Sequence, residues 1–114
     1  MFFLLSFLFY ISQNTDLTPK KLNFDDVVTI YTDNFTLNTW PRYAIKYGKI
    51  IQIGFGGNVL ATNKDYFHIS SEYTPKDIVY IPNFGASFIN PEDNDGGGYA
   101  STGEVFTHIV YICK

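Results

Sequence analysis

From Val27 onward the chain alternates short apolar runs with turn residues, and no stretch holds apolar positions at the helical period of about 3.6 over successive turns. Val27 to Tyr31 and Phe35 to Leu37 are apolar runs parted by Asp33-Asn34, and Pro41 parts Trp40 from the next strand. Tyr43 to Tyr47 alternates, with Tyr43, Ile45 and Tyr47 on one face and Ala44 and Lys46 on the other. Gly48-Lys49 then joins it to Ile50 to Phe55 as a β-hairpin. Gly54, Gly56 and Gly57 weaken the end of that strand and predict a bulge or a close backbone approach. Further strands are expected at Val59 to Ala61, Tyr66 to Ile69, Ile78 to Ile81 and Ala86 to Ile89. Asn90 to Gly98 reads as a long acidic, glycine-rich loop, and Glu104 to Cys113 as the last and longest strand. Short strands separated by turn signals every eight to twelve or so residues predict an all-β fold: a small antiparallel β-sandwich, jelly-roll-like, with no significant helix.

The last strand departs from the usual sandwich pattern. Val105, Ile109 and Tyr111 point one way and Phe106, Val110 and Ile112 the other, so both faces are apolar where one is ordinarily wet. Loops or another subunit must cover the outer face. The small core of so short a domain favours the subunit.

Upstream, Met1 to Ile11 is nearly all Phe, Leu, Tyr and Ile, too short to span a bilayer, which needs about 20 residues. No Lys or Arg precedes it and no small-x-small cleavage site comes after it. Three readings stay open: a degenerate signal peptide, a segment buried in an oligomer or a missing upstream domain, or a start-site artefact. Ser12 to Asp25 reads as a polar linker, with Pro19 barring helix through it. The expected division is therefore residues 1–25 as apolar segment plus linker, and residues 26–114 as the folded domain.

Composition narrows the function. The 114-residue chain is 46% apolar and 18% aromatic, far from a disordered composition. Its net charge of -3 and lack of any basic cluster beyond Lys20-Lys21 argue against a nucleic-acid partner. The single cysteine, Cys113, excludes an internal disulfide and a Cys-based zinc framework, and its apolar neighbours suit a plain buried thiol. No G-x-S-x-G or H-E-x-x-H is present, and His68 and His108 read as half-buried strand residues. No catalytic residue, metal or cofactor is assigned.

Binding residues are sought where rigid sheets carry polar loops. Asp93 and Asp95 in the acidic stretch offer oxygen ligands of the kind that suit calcium or sugar hydroxyls, without the EF-hand spacing. Trp40 and Tyr99 flank turns and could stack on sugar rings or pack on a sheet edge. Asn34-Phe35-Thr36 is an N-glycosylation sequon. The Gly96-Gly97-Gly98 run lacks the Lys and Ser or Thr of a P-loop.

Three segments, in order and spacing, resemble the C-terminal head domain of phage tail-fibre and receptor-binding proteins. They are the hairpin Tyr43-Ala44-Ile45-Lys46-Tyr47-Gly48-Lys49-Ile50-Ile51-Gln52-Ile53-Gly54, the turn Ile69-Ser70-Ser71-Glu72-Tyr73-Thr74-Pro75, and Ala100-Ser101-Thr102-Gly103-Glu104-Val105 before the closing strand. The sequence departs from the family's usual residues at Ser70, where proline is common, and at Ala100, where a larger aliphatic is. The resemblance implies a homotrimeric β-sandwich at the virion tail that recognises host cell-surface saccharide and contacts other tail or baseplate proteins, without enzymatic activity. A secreted or cell-surface β-sandwich is the alternative expectation, and a fibre-borne glycan depolymerase the third.

Overall fold

A computed structural model describes residues 18–114, so the apolar segment Met1 to Ile11 and its three readings lie outside the described residues. In chain order the elements are β1 (Lys20–Leu22), a short helix α1 (Phe24–Val27), β2 (Val28–Ile30), β3 (Phe35–Leu37), β4 (Tyr43–Tyr47) and β5 (Ile50–Val59). They continue with β6 (Lys64–Ile69), a 3₁₀ turn (Ser71–Tyr73), β7 (Val79–Tyr80), β8 (Ala86–Ile89), β9 (Asp95–Tyr99) and β10 (Gly103–Ile112). The period-two alternation folds these strands into two antiparallel five-stranded sheets. Sheet A has the order β1-β4-β5-β10, with β3 paired to the far half of β5; sheet B runs β2-β6-β9-β8-β7. The expected all-β sandwich is the fold of the chain.

The β4–β5 hairpin forms at Gly48-Lys49 as its sequence predicts. Gly48 takes a positive φ of 65°, the conformation a glycine in the first central position of a two-residue hairpin supplies without steric cost. Beyond it, β5 does not weaken at its glycines but runs on to Val59, absorbing the start of the strand expected at Val59 to Ala61. The glycines mark close approach instead. A Cβ on Gly54 would lie 2.2 Å from Tyr43 Cε1, and one on Gly56 would lie 2.3 Å from Trp40 Cε3, so both rings occupy the space that side chains there would need.

Two further expectations are corrected. Residues 90–98 are not a long loop: residues 90–94 close a tight turn, with Asn94 N donating to Asn90 O at 2.7 Å, and the glycines after it form β9 in the middle of sheet B. The Phe67 ring fills the space that a side chain at residue 96 would need. A bulge between Asp65 and Phe67 brings Lys64 O against Gly97. Glycine here marks crowding rather than flexibility. The later part of the stretch expected as polar linker also belongs to the fold: Lys20–Leu22 pairs with β4 and Phe24 is buried in the core.

The core lies between the sheets around Phe55. Its ring meets those of Phe67, Phe24, Phe35 and Phe84 at 5.3, 5.7, 5.8 and 6.1 Å, all near edge-on, the arrangement ring quadrupoles favour. From β10, Thr107, Ile109 and Tyr111 enter this core, and the Tyr111 hydroxyl donates to Tyr73 O at 2.7 Å. The opposite row of β10 faces out. Trp40 lies against Phe106 and Tyr43 against His108, while Val110 and Ile112 stay 48% and 49% exposed. The free edge of β10 is flanked by the 75–83 connection: Pro75 bridges Cys113, Lys76 N donates to Ile112 O at 2.9 Å, and Asn83 Nδ2 donates to Phe106 O at 2.9 Å. Among the described residues no helix is long and apolar enough to cross a membrane.

Candidate functional site

The outer face of sheet B brings polar and aromatic side chains together from several strands. Register places Thr29, His68 and Asp95 in one row across β2, β6 and β9. Tyr31 comes directly after β2, anchored where its N–H donates to Tyr66 O at 2.9 Å. Its hydroxyl donates to Asp95 Oδ1 at 2.5 Å, and His68 Nδ1 donates to the same oxygen at 2.9 Å. Two donors, one from β6 and one just past the end of β2, thus fix one carboxylate.

More negative charge lies nearby. The hydrogen bond to Asp95, then partial burial, then the charges of Asp95, Asp65 and Asp93 push the Tyr31 phenol up to about 12. Asp65 is raised above the ordinary carboxylate value by partial burial first and by Asp95 and Asp93 after it. Beside this cluster an open cleft of about 800 Å³ is lined by residues 30–34, Asn63, Lys64, Asp65, Gly97 and Gly98. Asn34 Nδ2 donates to Asp65 O at 2.9 Å, tying the two rims together. The cleft therefore presents carboxylates, amides, a phenol and one ammonium group over a glycine backbone.

An aromatic strip continues the same face. Tyr80 stands opposite Phe88, their rings edge-on at 5.9 Å, and Phe88 stands opposite Gly97. Tyr99 lies two residues farther along β9, opposite Ala86. Tyr80, Phe88 and Tyr99 are 55%, 47% and 64% exposed, large aromatic surfaces left uncovered together on one sheet face. With no side chain at Gly97, nothing stands between Phe88 and the cleft rim at Asp65 in that row.

Of the four residues singled out from sequence, Asp95 and Tyr99 lie on this face. Asp93 sits in the adjoining turn, where its Oδ1 accepts from Asp95 N at 3.0 Å while its charge adds to the cluster. Trp40 is not brought to them: it belongs to the outer side of sheet A, over Gly56 and beside Phe106. Asn90 likewise serves the turn, its Oδ1 accepting from Glu92 N at 3.0 Å. Among the described residues no group of three or more His, Cys, Asp or Glu side chains is arranged to hold a metal ion.

Sequence reasoning missed Tyr31, Asp65, Tyr80 and Phe88 as site residues. Tyr31 and Asp95 are 64 positions apart and obey no local spacing rule. Phe88 did carry a signal, since alternation with an inward Ile89 places it outside. A small antiparallel sandwich with one polar and aromatic sheet face is the class that this fold and site define. Comparison with protein-family models, with characterised proteins and with solved structures found no match.

Proposed function

We propose that this domain is a non-enzymatic adhesion module that binds cell-surface saccharide across the outer face of sheet B. The observation that carries the reading is the continuity of the Tyr80, Phe88 and Tyr99 strip with the polar cleft at Asp65 and Asn34. A pyranose has an apolar C–H face that stacks on the negative face of an aromatic ring, and a rim of hydroxyls that carboxylates and amides bond. Both kinds of partner lie side by side here, the rings and Asp65 on strands and the amides of Asn34 and Asn63 in the turns beside them.

Asp95 is held in place by Tyr31 and His68 and the cleft is open to water, which suits reversible binding of a solvated ligand. The resemblance to tail-fibre heads extends the proposal to a virion tail, with several copies presenting the face together, as in a homotrimer.

The test is a glycan array with the full chain, then titration of the strongest hit. Phe88→Ala and Tyr99→Ala should each weaken binding about tenfold or more, with circular dichroism unchanged, because each ring is exposed and holds up no core. An array without signal, or variants that bind like the parent, would sink the proposal. Shortening of the bound polysaccharide on incubation would replace adhesion by depolymerase activity.

A further inference from the structure

A second, smaller cleft of about 400 Å³ adjoins the His68 end of the sheet B face. Its lining includes His68, Glu72, Glu92, Asp93 and Lys114, whereas Asp33, Lys64 and Asp65 belong to the first cleft. Asp95 stands between the two. Tyr31, which lines the first cleft, and His68, which lines the second, both bond its Oδ1. The rows involved, Asp65–Gly97 and His68–Asp95, are two residues apart on β9, about 7 Å at the usual strand rise. An extended chain laid across Asp95 therefore reaches both clefts.

Charge along that path is mostly of one sign. Asp33, Asp65, Asp93, Asp95, Glu72 and Glu92 line or flank it, against Lys64 in one cleft and Lys114 in the other. Among the described residues neither lysine makes an ion pair, and none of these carboxylates is paired with Lys or Arg. Asp65 Oδ1 would lie 2.8 Å from a Cβ on Gly97, so its carboxylate is directed over the glycine backbone of the first cleft. Partial burial, then the charges of Asp95 and Asp93, raise Asp65, and a cation beside it would relieve that repulsion. The rings attract the same kind of group independently. Tyr80, Phe88 and Tyr99 are exposed, and the negative face of a ring draws an ammonium group as well as C–H. Among the described residues the one ammonium lying over a ring is Lys46 on Tyr73, so the strip's own rings stay uncovered.

We infer that the ligand of this face is a saccharide chain bearing free amino groups, a hexosamine polymer whose amines are not acetylated. The inference rests on the saccharide-binding reading and adds the charge of the ligand. Sugar rings stack on the aromatic strip while their ammonium groups meet the carboxylates of the two clefts. A uronic-acid chain would set its charge against all of those carboxylates, with only two separate lysines to offset them. An exposed ion pair changes affinity by about fivefold at most, so two engaged amines give a preference of about tenfold or more.

Isothermal titration of the full chain at about pH 6, where carboxylates are ionised and sugar amines protonated, compares three probes of equal length. They are the glucosamine hexamer, its N-acetylated form and a galacturonate hexamer. The glucosamine hexamer should bind about tenfold or more tighter than the acetylated one, and the galacturonate should not bind. Asp33→Asn combined with Asp65→Asn, both at exposed positions, should remove most of that preference while leaving the acetylated hexamer's affinity within about twofold. Phe88→Ala should weaken both glucosamine-based hexamers. Equal or tighter binding of the acetylated or the galacturonate hexamer overturns the inference and leaves the saccharide reading standing. A preference that survives unchanged in the folded Asn variant overturns it as well, because the carboxylates are then not its source. Spermidine bound as tightly as the glucosamine hexamer would mark a plain cation site, and that result, like the absence of any saccharide binding, removes both readings.

Discussion

Tyr31 keeps its phenolic proton because the acceptor, Asp95, and the neighbouring Asp65 and Asp93 all resist a further negative charge. Its titration therefore couples to folding. A phenol titrates near about 10 in an unfolded chain, against about 12 in this protein. The contribution is fully present below the unfolded value and is lost as pH rises through the folded one, because in that window the unfolded chain has released a proton that the fold retains. Urea midpoints of the parent should fall more steeply between about pH 9 and 12 than those of Tyr31→Phe. Other buried phenols, Tyr111 and Tyr73 among them, are raised too, so the difference between the two proteins isolates Tyr31. Equal slopes would show that Tyr31 does not feel the carboxylates. Asp95 was legible as a binding candidate in the sequence; Tyr31 was not, because nothing local ties position 31 to position 95.

At the scale of elements, Phe24 is the one aromatic ring that the first strand and the short helix bring to the core, beside Val27 and the β1–β4 pairing. Asn23 caps α1, its Oδ1 accepting from Asp25 N at 3.1 Å, and this turns Phe24 inward onto Phe55. Phe24→Ala should lower unfolding free energy by about 3–5 kcal/mol, the usual cost of removing a buried ring and leaving its cavity. Urea denaturation at neutral pH measures it, and a loss under about 1 kcal/mol would mean that α1 packs only loosely. The sequence pattern put this stretch in a linker because Lys20 and Lys21 precede it and Asp25 and Asp26 come after the ring. One apolar residue among charges has no period to detect. The hairpin at Gly48-Lys49, the strand Ala86–Ile89 and the inward and outward sides of β10 were legible, because alternation and turn chemistry are local. The glycine-rich β9 was not: it carries almost no side-chain pattern, and its place in the sheet comes from hydrogen bonds to β6 and β8.

For the whole molecule, the two outer faces differ in chemistry: sheet B carries the Asp95 cluster and the Tyr80, Phe88 and Tyr99 rings, and sheet A carries Trp40, Tyr43, Val110 and Ile112. By itself the sequence determined the all-β class, the main hairpin and the unusual two-sided apolarity of the last strand, since each is written in neighbouring residues. Only the tertiary structure decided which polar residues share a face. It set Tyr31 and His68 on Asp95, aligned Phe88 and Tyr99 beside the cleft, and sent Trp40 to the far side. The physical reason is strand order: side chains of residues far apart in the chain meet only after main-chain pairing fixes the register between them.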